Sequence, residues 1–222
     1  VGVFYDRFIL GLWKNADGLI YRQFADNPTH WLVDQVKPHH IDFISIGVDF
    51  GGNRSLTTFV ATAILRGFSG LVVLKDAHLG GQKGEIDADR VAHEFLRFLR
   101  ELQADYPGVF LRFAFADNEA QYLIATLRKA CFQAGFSLKV GDCAKVPIVQ
   151  RIACTNTLLA TDRLHLLKNC SLVRAGLTAA IWDSKAAALG KDIRLDDFTS
   201  DIDILDAFEY SFSRFLKKLT PG

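Results

Sequence analysis

The run Phe43-Ile44-Ser45-Ile46-Gly47-Val48, closed by Asp49-Phe50-Gly51-Gly52, constrains this chain more than any other feature. Its first six residues are dense in β-branched and aromatic side chains, so they read as a buried strand that the glycines then stop. Asp49 stands at the mouth of that strand, fixed by a sheet. The glycines beside it let the chain turn and let a ligand approach the backbone. A plain turn aspartate has the same local pattern, so the tetrapeptide leaves both readings open.

Residues 56–65 and 71–74 supply two further strands, with a turn over residues 67–70 between them, so the first three strands form an antiparallel meander. After a glycine-rich loop (Gly80, Gly81, Gly84), Asp87 is placed to cap a helix in which Val91, Phe95, Phe98, Leu99 and Leu102 recur at helical spacing. A strand over 110–116, a helix over 119–134 and a short strand over 136–140 make a β-α-β unit, which pairs its strands in parallel. Helices follow near 149–160 and 170–180, and a last one runs over 203–219. This order predicts an α/β fold: an RNase H-like mixed sheet, with a three-strand antiparallel meander plus parallel strands, flanked by helices. Residues 1–40, with Asp-Gly, Asn-Pro and Lys-Pro turn signals in their second half, read as a lead-in outside the core. Residues 41–222 read as one domain, since 222 residues are too few for two well-buried cores.

Composition narrows the function classes. A formal charge of +1 leaves no strongly basic domain of the kind that sequence-specific DNA binders carry, so any nucleic-acid contact is local. Cys131, Cys143, Cys154 and Cys170 are widely spaced with no C-x-x-C pair, which argues for reduced thiols and against a zinc site. No secretory segment and no run of 18 apolar residues is visible, which points to a cytoplasmic setting. The absence of any Met favours reading the chain as a fragment of a longer polypeptide.

Two further places bring carboxylates forward. Phe113-Ala114-Phe115-Ala116 delivers Asp117 to a second strand end just before a helix. As a helix N-cap it would accept from the backbone of Glu119 or Ala120; as the neighbour of Asp49 on one sheet edge it would share a divalent cation. In the last helix Asp203, Asp206 and Tyr210 fall at i, i+3 and i+7, on one face, while Leu205, Phe208, Phe212, Phe215 and Leu219 lie roughly opposite. Periodicity alone makes that acidic stripe a solvated face, and the helix dipole favours acids there in any case.

The segments Phe4-Tyr5-Asp6-Arg7-Phe8 with Gly11-Leu12-Trp13, Gly47-Val48-Asp49-Phe50-Gly51, Trp182-Asp183, Gly190-Lys191-Asp192 and Asp203-Ile204-Leu205-Asp206-Ala207-Phe208-Glu209-Tyr210 change those odds. Together they resemble phage large terminases of the PBSX type, in order and over nearly the whole chain. The resemblance implies the RNase H-like nuclease domain of such a protein, separated from its ATPase motor, with residues 1–40 as the segment leading from that motor. It implies a metal-dependent endonuclease that cuts concatemeric double-stranded phage DNA during packaging in the host cytoplasm, using two Mg²⁺ or Mn²⁺ ions. Small terminase subunit and portal would be its partners.

On that resemblance Asp49 matches the acid of the first strand, Asp117 the acid closing the fourth, and Asp206 the acid of the terminal D-A-x-x-Y helix. Asp203 departs from the pattern, since relatives often carry His three residues before the last Asp, and an auxiliary metal role is left open for it. Lys145 sits where related domains bring a basic residue to the site or the DNA. With Arg54, Lys83 and Arg151 it makes up the candidate phosphate-binding cations, each of which reads more readily as ordinary surface charge. The loop over residues 80–85 suits a flap over DNA or a plain connector. The chemistry suits the residue types, because hard cations held by oxygen ligands drive in-line phosphoryl displacement without Cys or His. The rival readings are another RNase H-like resolvase or transposase core, an actin-like ATP-binding domain, and a non-catalytic DNA-binding module.

Overall fold

A computed structural model describes residues 18–51, 56–79, 87–195 and 202–220, leaving aside the side chains of Ala187 and Ile202. Its centre is a single mixed sheet. The strands are β1 (Leu32–Val33), β2 (Ile41–Asp49), β3 (Thr58–Leu65), β4 (Leu71–His78), β5 (Leu111–Ala116), β6 (Lys139–Asp142) and β7 (Leu164–Leu167). They lie in the order β1-β7-β4-β3-β2-β5-β6. β2, β3 and β4 form the expected antiparallel meander, and β5 joins β2 in parallel with β6 beyond it. β1 and β7 extend the other edge in parallel; both are too short to have announced themselves in the sequence.

The helices are α1 (Arg22–Asp26), α2 (Ala88–Asp105), α3 (Gln121–Gln133), α4 (Ile148–Ala160), α5 (Ser171–Ala179), α6 (Ser184–Ala187), α7 (Ile202–Phe212) and α8 (Leu216–Leu219). They cover both faces of the sheet, as consecutive residues of β3 show. Thr58 donates to the Asp203 carbonyl on α7, whereas the Phe59 ring meets Phe95 and Phe98 of α2 at 5.3 and 5.7 Å. Because strand side chains alternate, a strand covered on both sides must be apolar throughout, and seven of the eight residues of β3 are buried. Asp87 caps α2 as its position implies, accepting from the backbone N–H groups of Asp89 and Arg90. The last helix is not continuous: a 3₁₀ turn over Ser213–Phe215 separates α7 from α8.

The lead-in reading needs correction for the described part of residues 1–40. Tyr21, Phe24, Ala25 and Trp31 are buried in the main core, and Leu32 and Val33 pair with β7. The turn signals are real, but they punctuate a segment that packs against α5 and α4. Aromatic residues between turns bury as effectively as those in long elements. Residues 4–13, with their aromatic motif, lie outside the described residues. The four cysteines are free thiols, with Cys131, Cys154 and Cys170 buried and Cys143 partly so. Among the described residues no helix is long and apolar enough to cross a membrane.

Candidate functional site

Parallel pairing of β2 with β5 aligns Val48 with Ala116, so the next residue on each strand, Asp49 and Asp117, leaves the sheet at the same edge. α7 crosses above that edge at unusually short range. A Cβ placed on Gly47 would fall 1.6 Å from the Ala207 carbonyl oxygen, so only glycine admits the helix here. The close crossing carries Asp203 and Asp206 over the strand ends. Thr58, which pairs with Asp49 across the meander, anchors the start of the helix by donating to Asp203 O at 3.1 Å. The Tyr210 hydroxyl, one turn after Asp206, lies 3.5 Å from Asp117 Oδ2.

Four carboxylates from three elements therefore share one field. Asp49 feels it most: burial, then the negative charges of Asp206, Asp203 and Asp117, push its carboxyl up to about 8, with Arg151 opposing. The Tyr210 phenol is raised as well, by burial and then by Asp206, Asp49 and Asp117. Asp117 takes up the cap role while leaving its second oxygen toward the carboxylate cluster. Its Oδ1 accepts from the Glu119 backbone at 3.2 Å, in the manner of a cap, while its Oδ2 faces Tyr210. Asn118 extends the contact outward. With its amide turned to satisfy both neighbours, it donates to Asp117 at 2.8 Å and accepts from Lys145 Nζ at 3.0 Å. Lys145 is exposed and so stands at the rim.

The solvated-stripe reading of the last helix does not hold. Ile204, Leu205, Ala207, Phe208, Glu209, Ser211 and Phe212 are fully buried, so α7 is enclosed nearly all round. The Asp206 side chain keeps only 24% of its surface exposed, and its Oδ1 accepts from Arg151 at 2.9 Å and from Arg194 at 3.2 Å. Arg151, expected among the outward-facing cations, is buried and turned inward to Asp206 and Glu209. Arg54, Lys83 and the loop 80–85 lie outside the described residues.

Arg194, Glu209 and Tyr21 were not singled out from the sequence. A signal existed for Glu209: it falls inside the apolar stripe made by Leu205, Phe208 and Phe212, where a carboxylate must be paired. Arg194 arrives through the Trp182-Asp183 and Gly190-Lys191 segments. Asp183 caps α6 by accepting from Lys185 and Ala186, Gly190 turns the chain with φ of 71°, and Trp182 then bridges to Arg194.

Among the described residues no three Asp, Glu, His or Cys side chains already stand in an ion-holding arrangement. The donor chemistry nevertheless fits a hard divalent cation. It consists of carboxylate oxygens at rigid strand ends, mutually repelling, with Asp49 in want of a positive partner. Both arginine pairs of Asp206 close on the same oxygen, Oδ1.

Solved structures carry this arrangement of elements. The large terminase of thermophilic bacteriophage D6E matches with a TM-score of 0.68 at 24% identity, over 99% of this chain and 49% of that one. The nuclease domain of the P22 large terminase matches with a TM-score of 0.59 at 12% identity, over 82% of this chain and 84% of that one. This chain has the terminase nuclease fold. The nuclease domain of the bacteriophage SPP1 large terminase, solved with bound Mn, matches with a TM-score of 0.54 at 18% identity, over 82% and 94% of the two chains. The chain spans about half the length of the D6E protein. No protein-family model and no curated protein matches the sequence. The terminase nuclease fold is thus established by shape and topology.

Proposed function

We propose that this chain is the nuclease domain of a phage large terminase, a metal-dependent endonuclease that cuts concatemeric double-stranded DNA during genome packaging in the host cytoplasm. The carrying observation is the meeting of Asp49, Asp117 and Asp206 at one sheet edge, with Asp49 driven up to about 8 by burial and by its neighbours. Asp49, Asp117 and Asp206 would hold the cations, two Mg²⁺ or Mn²⁺ ions in the fullest form of the proposal, with Asp203 as an auxiliary. When bound, the cations supply a water activated at neutral pH and stabilise charge on the leaving oxygen.

The chain's own residues do the rest. The strand ends keep Asp49 and Asp117 in place, and the Gly47 crossing sets the height of Asp206 above them. Lys145, reaching Asp117 through Asn118, stands at the rim where a DNA phosphate would lie, with Arg54 and Lys83 as further phosphate contacts. Arg151 serves the site from within. Double-stranded DNA is the proposed substrate, and an ATPase domain of the same polypeptide, a small terminase subunit and the portal are the proposed partners.

Incubating the purified chain with supercoiled plasmid and Mn²⁺, with and without a chelator, tests this. Nicked and linear products that the chelator abolishes are expected, and intact plasmid at high enzyme would overturn the reading.

A further inference from the structure

Asp206 is clasped by two guanidiniums, and both are anchored one turn further along α7. Arg151 Nη1 stands 3.1 Å from Glu209 Oε2, and Arg194 Nη2 donates to Glu209 Oε1. The Tyr21 hydroxyl donates to the same Oε1 at 2.7 Å and accepts from Arg194 at 3.0 Å. Exposure of these side chains is 0% for Glu209, 2% for Arg194 and 11% for Arg151. Even so, Arg151 Nε, Arg194 Nε and Glu209 Oε2 have no hydrogen-bond partner among the described residues.

Such a cluster is a poor device for stability alone. Ionised groups are costly to bury, and well-packed apolar residues usually serve at least as well. Its position suggests another use. A guanidinium and a divalent cation are rivals for the same carboxylate, and at low dielectric each unit of charge nearby counts heavily. Glu209 offers Arg151 and Arg194 a second carboxylate, three residues from the first.

We propose that Glu209 is a positioning residue that sets how tightly the carboxylate site takes a divalent cation, by sharing Arg151 and Arg194 with Asp206. This rests on the cation-binding reading above. Two consequences of opposite sign follow. Glu209→Gln leaves both guanidiniums to Asp206 and weakens Mn²⁺ binding, by about tenfold or more. Arg151→Gln removes one rival and tightens it, by about threefold or more. The double variant loses one charge of each sign and returns to within about threefold of the parent. A Glu209 that merely held the fold together would give weakening in both single variants and more in the double.

The test is calorimetric titration of the full 222-residue chain with Mn²⁺ for the parent, the two single variants and the double, with circular dichroism to establish that each is folded. Weakening by Glu209→Gln, tightening by Arg151→Gln and recovery in the double support the proposal. If Glu209→Gln does not fold, Arg151→Gln decides alone: tighter binding supports it, and equal or weaker binding overturns it. A parent that takes no Mn²⁺ removes the cation-binding reading and this inference together. A parent that binds Mn²⁺ beside variants that bind it equally, or that all bind it more weakly, removes this inference only.

Discussion

Asp49 gives the metal-free chain a pH dependence of known sign. Folding raises its carboxyl to about 8, while an unfolded Asp ionises near 3.9. Between those values the folded state holds a proton that the unfolded state has released, so stability falls as pH rises from about 4 to about 8. A single proton limits the slope to about 1.4 kcal/mol per pH unit, and because Asp49 is only partly buried the solvent screens it to less than that. Metal-free melting temperature should therefore be lower at pH 8 than at pH 6, and Asp49→Asn should flatten the difference; an equally steep profile in the variant would contradict the assignment. Asp206 behaves differently. Asp206→Asn relieves repulsion on Asp49, but it leaves Arg151 and Arg194 facing one carboxylate instead of two, at contacts of 2.9 and 3.2 Å. The direct ion pairs outweigh the longer-range repulsion, so the variant should melt below the parent without metal. It should also lose most of the Mn²⁺-induced rise in melting temperature and cut plasmid at least about a hundredfold more slowly. Near-parental cutting with an unchanged Mn²⁺ shift would return Asp206 to a structural role.

The contact between β2 and α7 is where element geometry makes the site. Gly47 faces the Ala207 carbonyl with no space for a side chain, and backbone on both sides cannot give way as a side-chain end would. Gly47→Ala should cost about 3 kcal/mol or more and lower the denaturant midpoint accordingly; a midpoint within error of the parent would show that the helix rides higher than described. The strands and helices were readable in the sequence because their signals are local: β-branched runs for β2 and β3, 3.6-residue periodicity for α2, a cap at Asp87. The closeness of Asp49 and Asp117 was legible only as a condition: the β-α-β unit in the sequence joins β5 to β6, and it is the sheet order that sets β5 beside β2 in parallel. The environment of α7 was not readable. A two-sided helix and a helix enclosed all round share the same apolar stripe, and only tertiary packing decides what covers Asp206. The same holds for Tyr21 and Arg194, which meet Glu209 from positions 188 and 15 residues away along the chain.

For the whole molecule, a nearly neutral chain with acids at one sheet edge and scattered basic residues has few means of reading a base sequence. The sequence has no G-x-x-x-x-G-K-[ST] phosphate loop, so the purified chain should neither bind nor hydrolyse ATP. Micromolar binding with turnover in calorimetry and phosphate-release assays would point instead to an actin-like reading. DNA selectivity follows from the same layout. Lys145 stands beside Asp117 at the rim and is suited to phosphate, while Arg151, the other described cation proposed for DNA, is committed to Asp206 and Glu209. Phosphate contacts fix register on the duplex without carrying sequence information. They also release counterions, so DNA binding should weaken steeply with salt, with the slope set by the number of phosphates engaged. Lys145→Ala should reduce that slope by about one and weaken unrelated sequences alike. Digesting several unrelated plasmids with Mn²⁺ at limiting enzyme should give fragments without a shared cutting site. Discrete, sequence-dependent fragments from the isolated chain would mean that it reads bases directly, and would move the choice of cut site from its partners to this domain.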